Sequence, residues 1–214
     1  MCIKGFIFDL DGTLLDSMGI WDNIGEEYLR LKGVDNIPQN MKEILKLMSL
    51  LQAAEYFIES FHINLSPHQI MDEINMLIED KYKYHVGLKD GVHEFLEKNR
   101  ELKMCIATAT DKPLVEFALK RLNIYKYFEF IITSTEVGSS KQNPDIYIKA
   151  AEKLGLPLSE VAVFEDALHA IETAKSANFY TVGVYEAVFE QDKEKIKQTA
   201  DCYIINLNEY EVNK

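Results

Sequence analysis

Gly5-Phe6-Ile7-Phe8-Asp9-Leu10-Asp11-Gly12-Thr13 is the stretch that decides how this chain folds. An apolar strand runs, with no polar linker, straight into two carboxylates, a glycine and a hydroxyl. Successive side chains of an extended segment point to opposite faces, so Asp9 and Asp11 share one side and Leu10 takes the other. Gly12 lets the backbone turn away at that point. Two carboxylates this close repel each other and any phosphate unless a divalent cation sits with them. With one present, the first acid can attack or coordinate while the second handles a proton. Hard oxygen ligands beside a phosphate make Mg²⁺ the expected ion. An Asp-x-Asp pair alone reads as a surface turn; the buried strand before it and Gly12-Thr13 after it turn the reading toward phosphoryl chemistry.

Beyond this strand the texture becomes helical from about residue 17 to about residue 84, with no strand-like runs. Ser17 is placed to cap a helix with Ile20, Ile24, Tyr28 and Leu31 on one face, ending near Gly33. Pro38 punctuates, helical patterns follow over 41–51 and 53–61, and Ser66-Pro67 reads as an N-cap with proline at the first helical position of a helix running toward Tyr84. From Leu88 on, helices and strands alternate. Strands are predicted over 104–107, 130–133, 161–164 and 181–184, with a short run over 202–205. Strands spaced by helices mean an α/β fold: a Rossmann-like, mostly parallel sheet with helices on both faces. The expected division is a discontinuous catalytic core, residues 1–15 and 86–214, with an all-helical cap over 16–85.

The 214 residues are enough to bury a substantial core. A net charge of −12 argues against nucleic acid and anionic membrane as partners, since both demand basic surface. Any anion site must then rest on a metal and a few placed cations. Cys2, Cys105 and Cys202 are far apart, odd in number and free of any C-x-x-C, so neither a disulfide framework nor a zinc site is indicated. The first apolar run is broken by Asp9, which leaves no secretory signal, and no stretch is long enough to span a bilayer. A reducing cytoplasm is the expected home. The oligomeric state is not readable, with a monomer as the starting expectation.

In an open parallel sheet ligands bind outside the carboxyl ends of the strands. Polar residues collect at four such ends: Asp9 and Asp11, Thr108, Lys141 in the loop after Ile131-Ile132, and Glu165-Asp166. Thr110 competes with Thr108. Lys141 taken alone is an ordinary loop lysine, and Glu165 and Asp166 taken alone are acids at a helix N-terminus, where the macrodipole favours them. Taken in order and spacing, Asp9-Leu10-Asp11-Gly12-Thr13, Thr108, Lys141 with Pro144-Asp145, and Glu165-Asp166 make a chain that resembles the haloacid dehalogenase (HAD) superfamily phosphohydrolases of the β-phosphoglucomutase-like subgroup, over nearly its full length.

That resemblance implies that Asp9 is a nucleophile forming an aspartyl-phosphate and Asp11 a general acid-base. It implies Mg²⁺ held by Asp9, the main-chain carbonyl of Asp11 and Asp166, with Glu165 as a further ligand or a support to one. Thr108 and the amide of Ala109 would hold phosphate oxygens, and Lys141 would offset charge. The chain departs from relatives at Ala167, Ala170 and Asn178, and Lys141-Gln142-Asn143-Pro144 replaces a more usual Lys-Pro-x-Pro. His169, one turn beyond Asp166, reads as a helix-surface histidine.

In this family a helical insertion acts as a cap and sets specificity. The subgroup's sugar-phosphate mutases carry a cap-helix histidine and an arginine-bearing loop that grips a second phosphate. Here Trp21 stands near the histidine's place, and residues 47–50 read Leu47-Met48-Ser49-Leu50. Hydrolysis of a small phosphorylated metabolite is therefore expected ahead of mutase action or mere phospholigand binding. Trp21 either stacks on a leaving-group ring or packs between cap helices, while Met18 and Met48 read as cap core. The cap is expected to hinge near Asp16 and Val86.

Overall fold

The computed structural model describes residues 2–45 and 48–211. In chain order the strands are β1 (Gly5–Phe8), β2 (Leu15–Asp16), β3 (Gly87–Leu88), β4 (Lys103–Thr108), β5 (Phe130–Thr133), β6 (Val161–Glu165), β7 (Tyr180–Val184) and β8 (Cys202–Ile204). The helices are α1 (Met18–Leu31), α2 (Met41–Leu45), α3 (Leu50–Phe61), α4 (Pro67–Tyr84), α5 (Val92–Lys98), α6 (Lys112–Arg121), α7 (Ser134–Val137), α8 (Asp145–Leu154), α9 (Leu168–Ser176) and α10 (Lys193–Thr199).

β1 is completely buried, and its alternation sorts the core into two layers. Phe6 and Phe8 point to one face, where they meet Phe95 of α5 and Phe164 of β6; the rings of Phe8 and Phe164 stack with centroids 4.7 Å apart. Ile7 points to the other face and joins Cys105, Ala107 and Val163 against Ile146, Ala150 and Leu154 of α8. The sheet order is β5-β4-β1-β6-β7-β8, and every neighbouring pair is parallel. Such a sheet needs both faces covered, which explains why its strands read as continuous apolar runs. β4 and β6 flank β1 on opposite sides, so the winding reverses there and opens a crevice at the carboxyl ends. The Rossmann-like fold read from the sequence is the observed one.

α1 to α4 form a helical insert between β2 and β3. Ser66 caps α4 with a capping box: its hydroxyl accepts from the Gln69 amide while the Gln69 side chain takes the Ser66 N–H, and Pro67 opens the helix. Three readings of this region are corrected. The single helix expected over 41–51 is two, because Ser49 forms a second capping box with Gln52 and starts α3; Leu47 itself lies outside the described residues. Ser17 precedes α1 but makes no cap bond, its hydroxyl being turned toward Asp11. Leu31 is exposed, and Leu29 takes the inward place beside Ile24 and Tyr28.

The two passages between sheet and insert are tied to each other as an antiparallel pair, Leu15 opposite Leu88 and Asp16 opposite Gly87. Two residues are too few to show alternation, so this ribbon left no trace in the sequence. No helix among the described residues is long and apolar enough to cross a membrane.

Candidate active site

Asp9 continues the line of β1, its amide bonded to the Phe164 carbonyl at 2.9 Å, and is delivered beside the end of β6. There it meets Glu165 and Asp166. The three carboxylates are buried, and one oxygen from each lies within 4.8 Å of the others. Lys141 reaches in from the loop before α8 and is bonded to both Asp9 and Glu165, the latter at 2.7 Å. The Tyr147 hydroxyl donates to the same Glu165 oxygen at 2.6 Å.

Burial pushes the Asp9 carboxyl up to about 8 against the pull of Lys141. Asp166 is pushed up by its burial and by the charges of Asp9 and Glu165. Burial alone would lower Lys141, but the two carboxylates outweigh it and hold the ammonium above its usual range. One cation faces three buried acids, and Asp166 Oδ2 is buried without a hydrogen-bond partner. A hard divalent cation is the group that such an oxygen set fits.

Gly12 adopts φ +85°, and a Cβ there would come within 2.0 Å of Asp166 Oδ2. The motif's glycine is thus demanded twice, by backbone conformation and by the approach of the acid.

Asp11 stands apart from this trio. Its Oδ1 accepts from the hydroxyls of Ser17 and Tyr82, each at 2.5 Å, and its Oδ2 from the Thr110 hydroxyl at 2.6 Å. Burial, and then the Asp11 charge, raise the Tyr82 phenol well above its ordinary value, so it remains a donor. Thr110 is bonded to Asp11 and Thr108 accepts the Thr110 amide at 3.1 Å, and both line the cavity. The turn after Asp11 is pinned by Lys89, whose ammonium donates to the carbonyls of Gly12 and Tyr185, both at 2.6 Å, and to Glu186.

The residues given catalytic, phosphate, metal or specificity roles from the sequence line one cavity of about 210 Å³: Asp9, Asp11, Thr108, Ala109, Lys141, Glu165, Asp166 and Trp21. The insert supplies the opposite wall, including Met18, Met41, Met48, Leu50 and Phe57. Met18 and Met48, read as cap core, thus face the cavity. So does His169, which burial lowers from the ordinary histidine value, where a surface residue was expected. Lys42 also lines the cavity but is bonded to Asp22 and Asn23. Trp21 borders it with its indole N–H fixed on Tyr82 at 2.6 Å.

Ser17, Tyr82, Thr110 and Lys89 are the partners that sequence reasoning missed as such. Tyr82 lies 71 residues from Asp11, inside an ordinary amphipathic pattern. Only Ser17 and Thr110, hydroxyls close to named motif positions, carried any local signal.

The family profile of the haloacid dehalogenase-like hydrolases matches residues 6–184 of this chain. The chain belongs to that family. Among its curated HAD relatives, the phosphorylated carbohydrates phosphatase of Thermotoga maritima is 26% identical over 188 residues, covering 82% of each chain. The beta-phosphoglucomutase of Bacillus subtilis is 30% identical over 200 residues, covering 85% of this chain and 83% of its own. Among solved HAD structures, CbbY from Rhodobacter sphaeroides in complex with phosphate matches with a TM-score of 0.83 over 97% of this chain and 96% of that one. Its 21% identity makes this a likeness of fold.

Proposed function

We propose that this HAD-family hydrolase is a Mg²⁺-dependent phosphatase that cleaves a small phosphomonoester through an aspartyl-phosphate on Asp9. The observation that carries the reading is the buried trio Asp9, Glu165 and Asp166, with Lys141 set between two of its members and Asp166 Oδ2 left without a partner. In the first half-reaction a carboxylate oxygen of Asp9 forms a bond to phosphorus, the bond from phosphorus to the leaving oxygen breaks, and Asp11 gives that oxygen a proton. In the second, Asp11 takes a proton from water as the water oxygen attacks phosphorus and the bond to Asp9 breaks. Thr108 and the Ala109 amide hold phosphate oxygens, and Lys141 offsets the charge of phosphate and nucleophile. Asp9, the Asp11 carbonyl and Asp166 would hold Mg²⁺, with Glu165 beside them, and the bound ion supplies further charge neutralisation. Positioning and charge stabilisation are most of what phosphoryl transfer asks of a protein.

Residues 16–85 form, in this reading, a cap that excludes bulk water from the cavity and chooses the leaving group, over the core made by 1–15 and 86–214. Sugar phosphates head the substrates to test, because two of the relatives are named for them, a phosphorylated carbohydrates phosphatase and a beta-phosphoglucomutase. Hydrolysis is preferred to transfer within one substrate because residues 47–50 hold no arginine for a second phosphate. The three cysteines are free, in keeping with a reducing cytoplasm.

Phosphate release from sugar phosphates, nucleotides and cofactor precursors, with Mg²⁺ and with EDTA, tests the proposal. Selective release that EDTA stops and Asp9→Asn abolishes, with its fold intact, is the expected result. Isomer interconversion without net release would establish mutase action instead. Silence of the folded parent across the panel, or an active Asp9→Asn variant, would overturn the mechanism.

A further inference from the structure

The three donors on Asp11 are not equivalent. Ser17 and Thr110 are hydroxyls whose protons rotate to suit their neighbours. Tyr82 has no such freedom. It is completely buried, and its oxygen already accepts the indole N–H of Trp21 at 2.6 Å. An indole nitrogen donates and never accepts, so the polarity of that bond is settled and the single phenolic proton is sent on to Asp11 Oδ1. The rings of Trp21 and Tyr82 also meet edge to face, with centroids 6.4 Å apart. Trp21 lies on α1 and Tyr82 on α4, so the relay is built from the first and last helices of the insert and ends on a residue of the sheet layer. Trp21 and Asp11 line the cavity, whereas Tyr82 stands behind them. Tyr82 therefore acts through Asp11.

We propose that Tyr82, aimed by Trp21, is a positioning residue that fixes the orientation of the Asp11 carboxylate toward the leaving-group oxygen. Proton delivery then requires the insert to be seated on the sheet, since removing it takes the Tyr82 hydroxyl away from Asp11. This rests on the reading of Asp11 as the proton donor, and it assigns Trp21 a part in that reaction beyond packing or stacking.

The test uses the dependence of kcat/KM on the leaving group, because kcat/KM reports steps up to loss of that group. An alkyl phosphate such as a sugar phosphate expels an oxygen that needs a proton. 4-Nitrophenyl phosphate expels a stable anion that does not. General acid catalysis supplies about 10²- to 10⁴-fold, so mispositioning the acid in Tyr82→Phe should lower the ratio of alkyl to nitrophenyl kcat/KM by about tenfold or more. Trp21→Phe, which leaves the Tyr82 proton unaimed, should lower the same ratio by less, and it serves as the test should Tyr82→Phe fail to fold. Trp21 is the sole tryptophan, so loss of its acceptor in Tyr82→Phe should also change the intrinsic emission of the folded protein.

A ratio equal to that of the parent in the folded variants would overturn the proposal, whatever happens to the two rates together, and so would an unchanged emission spectrum. An Asp11→Asn variant with an unchanged ratio, or an active Asp9→Asn, would instead overturn the underlying phosphatase mechanism.

Discussion

Lys141 stabilises this site by standing between Asp9 and Glu165, two carboxylates that repel each other and have little water to screen them. Its removal leaves buried carboxylates without a counter-ion, a change that costs up to about 3–5 kcal/mol when one partner of a buried pair is lost, less what Asp9, already raised to about 8, recovers by taking a proton. Lys141→Met should accordingly show that loss in urea unfolding at pH 7, and added Mg²⁺ should restore part of it by binding the folded state. Asp166→Asn should behave in the opposite sense. It removes an acid whose ionisation is opposed by burial and by Asp9 and Glu165, and gives up an oxygen that has no partner. The metal-free protein is expected to melt no lower than the parent, while the rise in Tm on adding Mg²⁺ shrinks. An undiminished rise would show that Asp166 does not hold the ion.

At the scale of elements, the insert depends on helix starts made by short polar sequences. Replacing Ser66 by Ala removes the oxygen that accepts the Gln69 amide and should cost about 1 kcal/mol in chemical denaturation. Ser49 is the same device, and it is where the sequence was misread: an apolar pattern running through 41–51 hid a cap in its middle. The sheet was legible because its central strands, covered on both faces, are largely apolar runs, and Phe130–Thr133 was found to the residue. Asp9, Asp11, Glu165 and Asp166 were legible for the same reason, as acids placed directly after such runs. The hydroxyl of Tyr82 and the ammonium of Lys89 were not. Each belongs to an element whose pattern is explained without it, and each meets the site only through tertiary structure, 71 and 77 residues from its partner.

For the whole molecule the net charge is −12 and the strand-end cluster holds one lysine among three acids, so seating a phosphate there calls for a bound cation as well. The passages between the two layers are the places where their relative motion is felt. If the insert closes over a bound phosphate group, limited proteolysis near Asp16 and Val86 should slow when Mg²⁺ and a phosphate analogue are present together; equal rates with and without them would argue against closure.

The ribbon of Leu15–Asp16 against Gly87–Leu88 also has a meaning for how such proteins diversify. The chain leaves the sheet layer and returns to it at residues already paired side by side, so everything between them hangs from one fixed socket. A replacement segment must bring its ends equally close and also match what α4 now meets on the sheet layer, where Asn75 donates to Asp111 and Arg121 to the Tyr82 carbonyl. Selection acting on that segment can change what the protein recognises so long as the hydroxyls it lends to Asp11, from Ser17 and Tyr82, are kept.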